Sequence, residues 1–242
     1  MKNLKTRRKG FVMRLLTGLI PLLTLLMIPT APASPQGANV VEIKSEPHHH
    51  PKFENEFVRV WDVTVPAGDV TLWHVHANDN VVVTLGEARL RIETAGAAPA
   101  ESQWKFGDVR FGKATYVHRA MNVGNTPFHN MTIEILKSTA FFPDLSKLPK
   151  QADREPVFEN DRARAYRLSL APGESTAIHS HPLPGLAIML APGEIEITTE
   201  GKAKPDSLKV ATADARWRAG AVTHSIKNVG QTRFEAVDIE LK

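Results

Sequence analysis

The amino-acid sequence predicts an all-β protein: two tandem antiparallel β-barrels or sandwiches behind a cleaved export signal. Three observations carry this expectation. The chain repeats itself at an offset of 105 to 106 residues. Each copy alternates apolar and polar residues with period two. A basic, then apolar, then small-residue segment opens the chain.

That opening segment comes first. "MKNLKTRRKGFVMR" is basic, Leu15 to Ile28 is an apolar run containing Pro21, and Ala31-Pro32-Ala33 offers small residues for cleavage. The order is that of a secretory signal. A membrane anchor is the rival reading, but the run is shorter than the roughly 20 apolar residues a spanning helix needs. Thr6-Arg7-Arg8 hints at twin-arginine export, with Phe11 one residue late for that pattern. Residues 1–33 are therefore expected to be removed and the mature protein to be periplasmic or secreted, with no stable membrane insertion. Those residues hold six basic and no acidic side chains, so the whole-chain 30 basic and 26 acidic become 24 and 26. The net charge changes from +4 to −2, and no basic prior for nucleic acid survives. With no cysteine in the chain, neither disulfides nor thiolate ligands are available.

The duplication comes next. "PKFEN" at 51–55 matches "PVFEN" at 156–160, and His118 in "YVHRAMNVGNTPF" matches His224 in "VTHSIKNVGQTRF". "TIEI" at 132–135 matches "DIEL" at 238–241. A shared period of this length marks one structural unit used twice. The expected organisation is a signal at 1–33, an N-terminal tail at 34–50, domain 1 at 51–137, a linker at 138–155 and domain 2 at 156–242. The linker is proline-punctuated, and Phe141-Phe142 suggests that it packs partly between the domains.

Within each copy, "VRVWDVTV" from Val58 and "ARLRIET" from Ala88 alternate as half-buried strands do. Turn signals recur about every ten residues, among them Pro66-Ala67-Gly68, Gly86, Gly107-Asp108 and Asn122 to Asn125. Short strands at this spacing indicate an antiparallel sandwich or barrel.

Chemistry concentrates in the histidines. "GDVTLWHVHANDN" and "GESTAIHSHPLPG" each hold a His-x-His pair, His74 with His76 and His179 with His181. Residues i and i+2 of a strand share a face, so each pair projects together. His118 and His224 are the matching histidines later in each copy. Six of the ten histidines thus occupy three repeated positions, and neutral imidazole is the commonest metal-binding side chain. Each copy is expected to hold one divalent transition metal. An all-nitrogen set suits Fe, Ni, Cu or Zn better than Mg or Ca.

With these motifs the chain resembles the cupins, specifically a two-domain bicupin. Gly68, His74, His76 and Gly86 match the first cupin motif in one copy, and Gly173, His179, His181 and Gly193 in the other. His118 with Asn122, and His224 with Asn228, match the end of the second motif. The resemblance implies two jelly-roll barrels with a site inside each. It departs in two respects: the Pro-x-Gly before the later histidine is missing, and so is the motif glutamate. Asn80 or Val81 stands at the glutamate position in the first copy, and Gly185 or Leu186 in the second. That weakens the resemblance to oxalate decarboxylases and oxidases and leaves a three-histidine site similar to those of cupin dioxygenases. The implied activity is an oxidoreductase acting on a small oxygen-bearing organic molecule, with Fe(II) or Cu(II) favoured and Ni(II) or Zn(II) as further options. Alternatives are a non-catalytic metal- or ligand-binding protein of the periplasm, or a metal-assisted isomerase or lyase. No catalytic residue beyond the metal ligands stands out.

Smaller features have expectations of their own. His48 to His50 read as a solvated tail, and Trp73, of opposite parity to His74, as packing away from the site. His129 reads as structural, Asn80 as a hydrogen bonder behind the ligands or a weak ligand, and Asn122 and Asn228 as turn residues. The first copy is expected to be the more active of the two.

Overall fold

The computed structural model describes residues 39–137 and 156–242. The expected signal at 1–33 and linker at 138–155 lie outside the described residues. In the first half, one sheet orders β1 (Val41–Glu42), β4 (His74–His76), β9 (Tyr116–Asn122), β6 (Ala88–Thr94) and β7 (Ala100–Trp104). The second sheet orders β2 (His49–Glu54), β3 (Val58–Val65), β10 (Phe128–Ile135), β5 (Asn80–Thr84) and β8 (Val109–Gly112). All pairings are antiparallel except β1 with β4.

The second half repeats the plan. One sheet orders β11 (Phe158–Glu159), β12 (Ala163–Leu170), β19 (Phe234–Leu241), β14 (Gly185–Met189) and β17 (Ala215–Arg218). The other orders β13 (His179–His181), β18 (Val222–Asn228), β15 (Gly193–Thr199) and β16 (Asp206–Val210). The two sheets of each half pack face to face. Trp61, Val63, Val65, Leu90, Trp104 and Phe128 fill the first interior, and Leu168, Leu170, Ile195, Val210 and Phe234 the second. Strand pairing among the described residues does not close either half into a continuous barrel: the sheets end at β1, β7, β2 and β8 in the first half and at β11, β17, β13 and β16 in the second, with no ladder between those edges.

A third core joins the halves. Val58, Val60, Val81, Val83, Met131 and Ile133 pack with Ala163, Ala165, Leu186, Ile188, Val237 and Ile239. Phe57 stacks on Trp217 with ring centroids 5.6 Å apart, and Phe111 on Phe158 at 5.8 Å. The β3-β10-β5 and β12-β19-β14 sheets are therefore buried on both faces. This is why "VVVTL" reads as a continuous apolar run instead of an alternating one. Odd-numbered Val81 and Val83 face the other half, while Asn80 and Val82 line the interior of their own.

The tail expectation is corrected. Residues 41–54 form β1, a 3-10 turn (Ile43–Ser45) and β2, and His49 is 8% exposed instead of solvated. β2 extends the sheet because His49 to Glu54 complete the backbone pairing of β3 at its open edge. The repeated asparagines are corner pieces. Asn122 Nδ2 donates to the Val65 and Thr126 carbonyls and its Oδ1 accepts from Gly124 N. Asn228 does the same with Leu170, Thr232 and Gly230.

Candidate metal centre

Strand pairing sets His74 directly opposite His118, and His179 opposite His224. His76 and His181, two residues on, project to the same face. The third imidazole thus comes from the adjacent strand. In the first half the three Nε2 atoms form a nearly equilateral triangle: His74 to His76 is 3.1 Å, His76 to His118 is 3.1 Å and His118 to His74 is 3.0 Å.

A triangle of ring nitrogens cannot satisfy itself. Each nitrogen carries either a proton or a lone pair, and an odd ring cannot alternate donors with acceptors. His74 Nδ1 lies 2.8 Å from the Leu72 carbonyl, which only accepts, so Nδ1 bears the proton and Nε2 the lone pair. Burial, reinforced by the neighbouring imidazoles, pushes His74 down to about 4 and His118 to about 3, and lowers His76. Neutral rings with converging lone pairs fit a cation. Nitrogens about 2.1 Å from one centre stand about 3.0 Å apart at right angles and about 3.4 Å apart at tetrahedral angles. The observed edges match three neighbouring corners of an octahedron.

The second half holds the same arrangement. His224 Nε2 is 3.1 Å from His179 Nε2, and ring centroids are 4.7 to 5.0 Å apart. His179 Nδ1 meets the Ala177 carbonyl at 2.9 Å. Burial, with the two neighbouring histidines, lowers His224 to about 3. Here the sequence missed a carboxylate pair. His181 Nδ1 lies 2.9 Å from Glu240 Oε1 and 3.5 Å from Asp238 Oδ1. Glu240 also pairs with buried Arg164, and Arg218 forks onto Asp238 at 2.9 and 3.1 Å. Strand parity in "DIEL" was the available signal: residues 238 and 240 share a face. His76 Nδ1, the counterpart of His181 Nδ1, has no partner in the first half. There Glu134 is engaged by Trp61 Nε1 at 2.9 Å and Asn78 Nδ2 at 3.2 Å.

The first triad opens onto a cavity of about 430 Å³, and the second onto one of about 250 Å³. Tyr116, another residue the sequence did not single out, stacks on His76 with ring centroids 4.7 Å apart. Its hydroxyl lies 3.1 Å from Asn80 Nδ2, and burial raises it to about 12. Asn80 is fully buried, and its side chain meets the Tyr116 hydroxyl and the Asn78 carbonyl, with no hydrogen bond to a triad histidine among its contacts. Two further histidines of the first half have side-chain partners of their own. His129 pairs with Asp62 at 2.8 Å, and His49 lies against His74 with ring centroids 4.8 Å apart. Trp73 packs under Arg119, away from the triad.

No protein-family model matches the chain, and no curated protein does. Solved structures do. AerE from Microcystis aeruginosa is 14% identical with a TM-score of 0.56, over 81% of this chain and 98% of that one. The oxalate decarboxylase of Lactobacillus farciminis, in a formate complex, is 12% identical with a TM-score of 0.57, over 79% and 83%. An oxalate decarboxylase from Bacillus subtilis, with Mn(II) centers, is 12% identical with a TM-score of 0.55, over 79% and 74%. At these identities the likeness is one of fold, and the fold these neighbours share with the chain is that of the cupins.

Proposed function

We propose that this protein is an exported metal-dependent bicupin that carries out oxidoreductase, dioxygenase-like chemistry on a small oxygen-bearing organic substrate in its first half. The observation that supports it best is the Nε2 triangle with 3.0 to 3.1 Å edges at the wall of a largely apolar cavity. His74, His76 and His118 would hold the ion in the first half, and His179, His181 and His224 in the second. A bound Fe(II) or Cu(II) would supply redox capacity and a +2 charge that no protein carboxylate in the triad reduces. The fold neighbours include a decarboxylase with Mn(II) centers, so manganese joins the metals to be tried.

The chain's own groups do the rest. Leu72 O fixes the His74 tautomer. Val63, Val82, Leu90 and Trp104 line the cavity and keep it dry. Lys113 and Arg110 line the same cavity and favour an anionic substrate. The Tyr116 hydroxyl stays protonated at neutral pH and can donate to a substrate oxygen beside the triad.

The second half supports a second reading for that site, metal binding without turnover. Its cavity is smaller, and its network of Asp238, Glu240, Arg164 and Arg218 is engaged internally. The test is reconstitution with Fe(II), Cu(II), Mn(II), Ni(II) and Zn(II), followed by oxygen uptake against diketones, flavonols, thiols and catechols. Uptake that requires a redox metal and at least one substrate is expected. Tight metal loading with no uptake across the panel would leave a metal- or ligand-binding protein instead.

A further inference from the structure

The first half contains a fourth imidazole that the triad does not use. His49 comes from β2, outside both repeated motifs, and lines the same cavity. A ring nitrogen of His49 lies with those of His74 and His76 inside a 4.8 Å span. We propose that His49 is a fourth protein ligand of the first-half metal, held in that role by Glu46. The proposal rests on the reading of His74, His76 and His118 as a metal site.

Glu46 is 1% exposed and is the most fully engaged carboxylate near the site. Its Oε2 lies 2.6 Å from His49 Nδ1 and accepts from His48 N at 2.9 Å. Its Oε1 lies 2.9 Å from His48 Nδ1 and accepts from Leu72 N at 3.1 Å. Both of its oxygens accept backbone N–H groups, from His48 and from Leu72, which is the arrangement of a carboxylate that carries no proton. Such a carboxylate only accepts, so His49 Nδ1 is the donor, and the neutral ring keeps its lone pair on Nε2. A carboxylate behind a histidine is the usual means of fixing ring and tautomer for metal binding.

Leu72 ties the two ligand sources together. Its N–H donates to Glu46, and its carbonyl accepts from His74 Nδ1. One residue thus registers the N-terminal strand against the His-x-His strand. The charge also fits. The motif glutamate is replaced by Asn80, so no carboxylate touches the triad, and Glu46 returns a negative charge at one imidazole's remove. The second half has no equivalent by sequence: the position 105 residues after His49 is Arg154. Four protein ligands on a six-coordinate ion leave two positions instead of three. That narrows the substrate to one presenting a single oxygen anion whenever a second reactant shares the ion.

The test uses the full mature protein carrying His179→Ala, His181→Ala and His224→Ala, which removes every second-half histidine, including the one that groups with Asp238 and Glu240, so that added Zn(II) loads the first half alone. X-ray absorption counts imidazoles, and chelator competition measures affinity. The expected counts are four in this parent and three after His49→Ala, with at least a tenfold loss of affinity. His49→Gln gives the same drop in count if the alanine variant fails to fold. Glu46→Gln keeps the count at four but weakens binding about tenfold, which a purely structural role would not do. Three imidazoles in the parent, or an unchanged count and affinity in both His49 variants, would overturn the assignment. Four imidazoles without any oxygen uptake would sink the redox reading and leave this one standing. A parent that binds no zinc would sink both.

Discussion

In the first half, strand pairing sets Asn80 opposite Gly112; in the second, the same two positions are Gly185 opposite Arg218. Large and small have traded places. A Cβ on Gly112 would come within 2.7 Å of the Tyr116 hydroxyl, so its absence lets Tyr116 reach Asn80. A Cβ on Gly185 would meet the Ile239 carbonyl at 2.1 Å and Arg218 at 2.9 Å, so its absence admits the guanidinium that forks onto Asp238. One exchange produces a neutral amide-phenol pair beside the first triad and a charged network beside the second. The same histidine geometry therefore sits in two different dielectric and charge environments. The comparison teaches that duplication preserved the histidine triad while the strand pair beside it diverged.

The largest expected effect separates the halves directly. His76→Ala is expected to lower metal-dependent oxygen uptake by more than 100-fold, while His181→Ala leaves most of it. Equal losses would erase the ranking. Next comes stability. Glu240→Gln removes the charge that neutralises buried Arg164 and is expected to cost about 3 kcal/mol by chemical denaturation. Glu134→Gln, facing a partly exposed Arg59 at 3.5 Å, should cost much less. Tyr116→Phe is expected to lower kcat about tenfold with metal affinity unchanged. The second half has Val222 at that position, so Val222→Tyr is expected to restore nothing. The smallest effect concerns the link between halves. Arg162 donates to Asp79 at 3.0 Å, and Asp79 also accepts from Ala114 N. Arg162→Ala is expected to cost about 1 kcal/mol or less, measured by thermal unfolding.

Much of this was legible from residue spacing. The repeat located both triads, and the period-two pattern explained why His74 and His76 share a face. Asn122 and Asn228 were readable as corners because an asparagine before Val-Gly suits a turn. The same reliance on the repeat hid His49. It lies outside the duplicated segment, and three consecutive histidines read as a soluble tract. Its burial depends on β2 pairing with β3, which sets His49 opposite Val63, and on Glu46 three residues earlier lying beneath it, and a run of polar histidines marks neither. Asp238 and Glu240 were visible by parity in "DIEL", but a carboxylate on an inner face has no meaning until its partner is known. Arg164 is 76 residues away from Glu240. The barrel expectation fell short because closure depends on strand ends, which alternation does not mark.

The apolar layer between the halves has a practical corollary. Each half contributes a sheet whose outward face is as greasy as its inward one, so neither is a free-standing module. Cleavage in the 138–155 segment should leave two fragments that stay associated through Val58, Val81, Ile133, Leu186 and Ile239. Expressed separately, the fragments should be insoluble alone and recover solubility when mixed. The chain would then serve as a split reporter whose reassembly needs no tether.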